Sequence, residues 1–330
     1  MIAGMMFVAS LALGGLLVVV VHLVWLVAWL IGRWGDSVVP YAPFGWTALA
    51  LALLGWSVLA YGFFVGRFRL DINNINYTHT EIPPAFKGYK IVHISDLHLS
   101  TFDDRPAALQ RLVDSINAQQ PDVICFTGDL VTMGATEVAP YRDILRRLHA
   151  HDGVVSVLGN HDMLIYRSWK LEAERRGEVA KLVDFERNEL GWHLLRNEHL
   201  HIVRDNDTLT IVGVDNCSCK HQGFRTVHAG DLTQAMAGTD GFRILLSHDP
   251  THWRAEVLEK TDIPLTLSGH THAAQVRLFG WTPAAWAFRE TAGRYDSAGQ
   301  TLYINVGLGG TLPVRLNCPA EITVITLQTK

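Results

Sequence analysis

The sequence predicts an α/β fold that is preceded by two transmembrane helices. Two long apolar runs without a charged residue open the chain. Short apolar segments, typical of strands, then alternate with segments of helical spacing. Polar side chains of metal-binding type follow five of those strands. Together, these observations predict a membrane anchor and a sheet with a polar site at the ends of its strands.

The two apolar runs cover residues 1–31 and 44–66. A helix needs about 20 apolar residues to cross the hydrocarbon core, and both runs exceed that length. A buried helical hairpin in a soluble protein and a cleaved first run are the alternatives. We expect a membrane anchor over residues 1–69, a linker over residues 70–87 and a large α/β domain over residues 88–330.

The charges next to the two runs predict the orientation. The short connection carries Arg33, which Asp36 offsets, whereas four basic residues follow the second run. Under the positive-inside rule this pattern predicts that the domain over residues 88–330 lies in the cytoplasm, on a multi-pass protein of the inner membrane. The four basic residues are Arg67, Arg69, Lys87 and Lys90.

Composition narrows the class of protein. The formal net charge of −4 and the pI of about 6.5 do not favour a nucleic-acid partner. Four scattered cysteines in 330 residues do not form a disulfide framework, which mildly favours a reducing compartment.

Five strand ends carry side chains that bind metals. "KIVHIS" leads into an Asp-Leu-His sequence, and four later strands end in Asp, Asn or His. Because residues i and i+2 share one side of an extended chain, such pairs can direct two ligands at one point. The eight positions are Asp96, His98, Asp129, Asn160, His161, His248, His270 and His272.

The donor types indicate the chemistry. A carboxylate at the end of an apolar strand is costly to bury unless it is paired or binds a metal. Oxygen and nitrogen donors without thiolates suit manganese first, with iron or zinc as alternatives. Two such ions about 3.5–4 Å apart are the usual arrangement for hydrolysis of phosphate esters by metal-activated hydroxide.

Five blocks of the sequence resemble those of the calcineurin-like metallophosphoesterase family, and their order is the family order. They are "SDLHLS", "FTGDLV", "VLGNHD", "LLSHDP" and "LSGHTH", and they lie between Lys90 and Gln275. The tail "INVGLGGTLPVRLNCPAEIT" is similar to that of the membrane-associated bacterial branch. The resemblance implies a four-layer α/β/β/α sandwich.

The resemblance also implies roles for individual residues. Asp96, His98 and His272 are expected to bind one metal ion, and Asn160, His248 and His270 the other. Asp129 is expected to bridge the two ions. His161 is expected to contact the phosphate and to protonate the leaving oxygen, and Asp162 either orients His161 or has a structural role.

Two local features depart from this pattern or stand outside it. Ala273 and Ala274 replace a Gly-Gly pair that is usual in relatives, which predicts a different loop path after His272. The segment "CSCKH", with Cys217, Cys219 and His221, could hold a further ion, although a loop without ligands is the simpler interpretation.

The sequence thus predicts a membrane-anchored phosphoesterase with two divalent ions. Its expected substrate is a phosphodiester or pyrophosphate, with a lipid-linked compound such as UDP-diacylglucosamine as one possibility. The alternatives are a phosphodiesterase for soluble or cyclic nucleotides and a non-catalytic membrane scaffold with a relic site. The expected partners are the phosphate-ester substrate and, through residues 1–69, membrane lipid, with no nucleic acid.

Overall fold

The computed structural model describes residues 2–35, 37–103 and 105–330; Asp36 lies outside the described residues. The helices are α1 Ile2–Trp34, α2 Ala42–Phe64, α3 Pro106–Asn117, α4 Arg142–Leu145, α5 Glu172–Asp184 and α6 Leu232–Met236. The first six strands are β1 Leu70–His79, β2 Lys90–Ile94, β3 Val123–Phe126, β4 Val154–Ser156, β5 His193–Leu194 and β6 Glu198–Arg204. The other six are β7 Asp207–Gly213, β8 Phe242–Leu246, β9 Leu265–Ser268, β10 Gly293–Ser297, β11 Gln300–Ile304 and β12 Ala320–Thr329.

The chain divides into two units. The first contains residues 1–69 together with residues 312–317. Within it, a side chain on Gly62 would collide with Val314 and Leu316, so the glycine permits close packing of α2 against this segment. Both helices are long and apolar enough to cross a membrane, over Ser10–Trp34 and Ala42–Phe68.

The second unit contains two six-stranded sheets. Their strand orders are β1-β12-β2-β3-β4-β5 and β10-β11-β9-β8-β7-β6. Strands β2, β3, β4 and β5 run parallel, as do β7, β8, β9 and β11, which confirms the α/β class. Parallel order brings the carboxyl ends of these strands to one edge of each sheet.

A single apolar core joins the two sheets. Ile91 and Val155 of the first sheet pack in one cluster with Ile244 and Leu267 of the second. The next residues along the second sheet, such as Leu245, point the other way and pack with Trp253 and the residues of α6. This alternation produces the sandwich, because central strands such as β8 and β9 have buried side chains on both faces.

Two segments differ from the expectation. Most of the predicted linker 70–87 is structured, since β1 adds an edge strand that pairs in parallel with β12. The sequence "TEVAPYRDILRRLHA", residues 136–150, has the spacing of an amphipathic helix, but the structure reduces it to α4 and short turns. Pro140 has no amide hydrogen to donate to a helix. Glu137 instead accepts hydrogen bonds from the amides of residues 132–134.

An ionisable side chain is buried beneath the first sheet. Glu186 is fully buried in the turn Phe185–Glu189, and its Oε2 accepts a hydrogen bond of 2.6 Å from Ser156 Oγ. Its Oε1 has no hydrogen-bond partner among the described residues. Burial, reinforced by the charge of Asp162, raises the pKa of the Glu186 carboxyl well above its ordinary value of 4.5.

We expect Glu186→Gln to stabilise the protein at neutral and alkaline pH. Because the folded-state pKa is raised, the stability that protonated Glu186 contributes is complete below pH 4.5 and is lost as the pH rises through the folded-state pKa. The variant should therefore unfold like the wild type near pH 4 and at increasingly higher temperature than the wild type toward pH 9. Thermal unfolding of the full chain in detergent measures the difference.

Glu189→Gln is the matched control, since Glu189 lies in the same turn and is exposed. A temperature difference between Glu186→Gln and wild type that does not change with pH would contradict a buried, protonated Glu186.

Candidate metal centre

The predicted site residues follow strands of both sheets. Asp96, Asp129 and Asn160 lie two to four residues beyond the ends of β2, β3 and β4 in the first sheet. His248 and His270 lie two residues beyond β8 and β9 in the second. The two sheets therefore place their polar ends at one location, as the strand pattern predicts.

Asp96, His98 and His272 form the first donor group. The Nε2 atoms of His98 and His272 are 3.2 Å apart. Oδ1 of Asp96 lies 3.8 Å from His98 Nε2 and 3.3 Å from His272 Nε2. All three side chains are buried, so three donor atoms converge on one water-poor point.

Asn160, His248 and His270 form the second group. Asn160 Oδ1 lies 2.9 Å from His248 Nε2 and 2.7 Å from His270 Nδ1. The two imidazole nitrogens are 3.2 Å from each other. These three atoms form a compact triangle of nitrogen and oxygen donors.

Asp129 lies between the two groups. Its Oδ2 is 3.6 Å from His98 Nε2 and 3.2 Å from His248 Nε2. Its Oδ1 accepts a hydrogen bond of 2.8 Å from the His161 amide, which fixes the carboxylate plane. One carboxylate oxygen thus faces both donor groups, which is the geometry a bridging ligand needs. The ligand roles of these seven residues stay predictions.

Outer contacts determine which imidazole nitrogen faces the site. His248 Nδ1 lies 2.7 Å from the carbonyl oxygen of Thr127, so this nitrogen carries the proton and Nε2 is left as a donor of electrons. His270 has the opposite arrangement, because its Nε2 lies 2.9 Å from Gln222 Oε1 and Nδ1 faces the centre. Gln222 is itself held by Asp249, to which it donates a hydrogen bond of 2.6 Å.

The electrostatics of the site fit divalent cations. Asp96 Oδ1 is buried and has no hydrogen-bond partner among the described residues. Burial by itself would lower the pKa of His248, but the negative charge of Asp129 raises it to about 10. The buried negative charge that attracts this proton attracts a cation in the same way. Buried carboxylates, an amide oxygen and imidazoles are a donor set for Mn, Fe or Zn.

The contacts of His161 and Asp162 differ from one expectation. The ring of His161 is oriented by the carbonyl oxygen of Thr132, 2.7 Å from Nδ1, and not by Asp162. The Asp162 carboxylate accepts hydrogen bonds from the backbone amides of Asp129, Gly159 and Val131, at 2.7, 3.0 and 3.1 Å. Its contacts are those of a loop scaffold because all three donors are backbone amides of the loops that carry the site. A catalytic role for either residue stays a prediction.

Sequence reasoning missed Tyr166. Its hydroxyl accepts a hydrogen bond of 2.7 Å from Asn160 Nδ2, which directs Asn160 Oδ1 at the two histidines. Its ring packs on that of His161, with 4.5 Å between ring centres. No motif indicates this tyrosine, since it lies in an irregular loop six residues beyond Asn160.

The backbone approaches the donors unusually closely. A side chain on Gly269 would overlap Asp96 Oδ2 and Ser95 Oγ, so only glycine fits there. Five candidate site residues have positive φ angles of 42–72°, a conformation that costs L residues about 1 kcal/mol or more. They are Asp96, His98, Asp129, His270 and His272.

The loop after His272 retains a backbone conformation that favours glycine. Ala273 and Ala274 have φ angles of 49° and 50°. The alanines thus occupy the left-handed region and accept its strain, which explains why glycine is the usual residue there.

Comparisons with known proteins agree with this geometry. The model of the calcineurin-like phosphoesterase family matches residues 89–274. The metallophosphoesterase YkuE of Bacillus subtilis is 32% identical over 75% of this chain and 82% of its own length. The UDP-2,3-diacylglucosamine pyrophosphatase LpxG of Chlamydia trachomatis is 27% identical, over 78% of this chain and 88% of its own length.

A vertebrate relative has a similar organisation. The transmembrane protein with metallophosphoesterase domain of Danio rerio is 28% identical over 90% of this chain, which spans 66% of that protein's length. The family match covers more than half of the chain and includes all the predicted ligands. The chain therefore belongs to the calcineurin-like phosphoesterase family and is a metal-dependent phosphoric ester hydrolase.

Proposed function

We propose that the protein is a membrane-anchored phosphoesterase with two metal ions that hydrolyses a phosphodiester or pyrophosphate bond of a lipid-linked substrate. The observation that carries the two-ion part is the position of Asp129, whose Oδ2 lies within 3.6 Å of a donor atom in each group. A single ion would leave one triangle of buried donors without a counter-charge.

The ions would be held by seven side chains. Asp96, His98 and His272 would bind one and Asn160, His248 and His270 the other, with Asp129 shared. Manganese suits this set best, because oxygen donors accompany the imidazoles and no thiolate is present in it. When bound, the ions polarise the phosphoryl oxygens and make water acidic enough to attack phosphorus at neutral pH.

The chain's own contribution to proton transfer is His161. Because Thr132 holds the proton on Nδ1, the nitrogen that titrates is Nε2. Burial lowers the pKa of His161, which makes its protonated form a better acid toward a leaving oxygen. The rings of His98 and Tyr166 contact His161 at 4.8 and 4.5 Å and restrict its orientation.

Three observations support a lipid-linked substrate. The chain has two helices of membrane-spanning length, and its relative LpxG is named for a lipid-linked pyrophosphate. The unit that holds the metal centre also exposes apolar side chains shortly after His272, at Leu278, Phe279, Trp281 and Trp286. Leu278 and Trp281 pair across a tight turn that presents Phe279 fully exposed at its tip.

The proposal includes the location. Residues 1–69 would anchor the protein in the inner membrane as two spans, and the catalytic unit would face the cytoplasm, a proposal that the charge pattern supports. The unit with the two helices also includes residues 312–317, which begin two residues after the loop residue Gly310. The carbonyl oxygen of Gly310 accepts a hydrogen bond from Thr101 Oγ1.

A substrate panel tests the proposal. The full chain in detergent, loaded with Mn²⁺, is assayed on UDP-diacylglucosamine, on a cyclic nucleotide and on bis-p-nitrophenyl phosphate, each with and without chelator. We expect chelator-sensitive turnover of all phosphodiester probes and the highest kcat/KM on the lipid-linked pyrophosphate. Highest kcat/KM on the cyclic nucleotide would reject the lipid substrate, and no turnover of any compound would reject the enzyme proposal.

We expect His161→Gln to lower kcat by roughly 10²–10⁴-fold without loss of bound metal, since the leaving oxygen loses its acid. The loss should be smaller with p-nitrophenolate as leaving group, because it needs no proton. Kinetics on two substrates and metal analysis measure both effects. His151→Ala, an exposed histidine, is the control. Equal losses on both substrates together with lower metal content would instead indicate a ligand role.

We expect Gly269→Ala to weaken metal binding by roughly 10–100-fold, because its Cβ would displace the Asp96 carboxylate. Chelator competition measures the change in affinity. Gly177→Ala, at a helical position with open space around it, should leave affinity unchanged. Wild-type affinity in Gly269→Ala would show that Asp96 is not a ligand.

We expect the double variant Phe279→Ser, Trp286→Ser to raise KM for lipid-linked substrate in vesicles by about tenfold or more, since each buried aromatic side chain contributes about 1.5–3 kcal/mol. The KM for soluble bis-p-nitrophenyl phosphate should not change. Leu171→Ser removes an exposed apolar side chain elsewhere and serves as control. An equal rise in KM for both substrates would contradict a lipid-contacting role.

A further inference from the structure

A second cluster of metal-binding side chains lies outside the centre already described. It contains Cys219, His228 and Glu256, whose donor atoms lie within 4.8 Å of one another. Cys219 Sγ is 3.7 Å from His228 Nδ1 and 3.9 Å from Glu256 Oε1. His228 Nε2 is 3.5 Å from the same carboxylate oxygen.

These distances match the ligands of one tetrahedral ion. With metal–sulfur bonds of about 2.3 Å and metal–nitrogen or metal–oxygen bonds of about 2.0–2.2 Å, ligand atoms lie roughly 3.3–3.7 Å apart. The observed separations lie at or slightly above that range. Rotation of the half-exposed His228 ring about its Cβ–Cγ bond can turn either nitrogen toward the point between Sγ and Oε1.

Hydrogen bonds from neighbouring residues hold Glu256 and Cys219 in place. The buried His252 lies 3.3 Å from Glu256 Oε2 through its Nε2, and its Nδ1 is 2.9 Å from Ser247 Oγ. Glu256 Oε1 is thereby directed at Cys219. The amide of Cys219 donates a hydrogen bond of 3.1 Å to Thr251 Oγ1, which fixes the backbone at this ligand. Outer partners of this kind orient first ligands and strengthen metal binding.

A nucleophilic cysteine with a His–Glu pair is the competing interpretation. In that arrangement the histidine separates the nucleophile from the acid. Here Glu256 Oε1 lies about as close to the sulfur as to the imidazole, at 3.9 and 3.5 Å. The three groups therefore form a triangle, which a shared cation explains and a relay does not.

We propose that Cys219, His228 and Glu256 bind a zinc ion that is separate from the catalytic centre. A thiolate, an imidazole and a carboxylate are a donor set that selects Zn²⁺, and solvent completes its tetrahedron. The ion ties the two ends of the segment 219–228 to the turn Trp253–Val257. This segment carries Gln222, which contacts His270 of the catalytic centre. The site does not depend on the identity of the substrate.

Cobalt substitution tests this site without an activity assay. The predicted catalytic ligands include no cysteine, so a thiolate-to-cobalt charge-transfer band reports only on the new site. The full chain in detergent is freed of metal and titrated with Co²⁺. We expect the band in the wild type, its loss in Cys219→Ser, and at least a tenfold weaker affinity in His228→Ala and Glu256→Gln.

His221→Ala is the matched control, because His221 lies in the same segment and belongs to the "CSCKH" motif but not to the cluster. It should keep the wild-type band and affinity. Asp129→Asn should keep the band as well, which separates this site from the proposed function. Size-exclusion chromatography verifies that each variant is folded before titration.

Three outcomes would overturn the proposal. They are the absence of a band in folded wild type, a band that persists in Cys219→Ser, and a loss of affinity in His221→Ala that equals the loss in His228→Ala.

Discussion

The convergence of two donor groups on the Asp129 carboxylate is the constraint on which the rest of the structure depends. Asp129 follows the first sheet, whereas His248, 3.2 Å away, follows the second. The buried imidazoles, carboxylates and amide that face one another do not satisfy all their polar atoms with hydrogen bonds, since Asp96 Oδ1 has no hydrogen-bond partner among the residues that the structure describes. Divalent cations would relieve this conflict, and the apolar core between the sheets keeps the two groups in register.

Much of this arrangement can be predicted from the sequence, because strand alternation and parallel order are local rules with one geometric outcome. Asp96 and His98 are two residues apart after a buried strand, and the other donors follow four more strand ends. The same alternation along the strand predicts that His93 points away from the donor side chains and into the interior. It is fully buried, bonded to Thr127, and burial lowers its pKa to about 3. In these cases, the spacing of residues along an extended strand determines which way each side chain points.

Other features could not be predicted, since they depend on contacts between segments that are distant in sequence. Tyr166 and Gln222 contact the donors from irregular loops, where no periodicity fixes the direction of a side chain. His228 and Glu256 join Cys219 across 9 and 37 residues, so the local motif suggested His221 instead. The sequence indicates at most a short strand at the start of residues 70–87, whereas β1 extends over ten residues by pairing with β12.

The groups that orient His248 and His270 belong to different parts of the fold. His248 is oriented by the Thr127 carbonyl, which belongs to the backbone just beyond a central strand and cannot move independently of the sheet. His270 is oriented by Gln222, which lies in the segment 219–228 and is held by Asp249.

Asp249 also accepts a hydrogen bond of 2.7 Å from Thr251, whose Oγ1 in turn accepts one from the amide of Cys219. One candidate ligand histidine is therefore fixed by the rigid core, and the other is linked through four hydrogen bonds to the cysteine of the second cluster. We therefore expect a change at Cys219 to affect the candidate metal centre through His270 rather than through His248, because the loop contacts can shift without breaking the sheet.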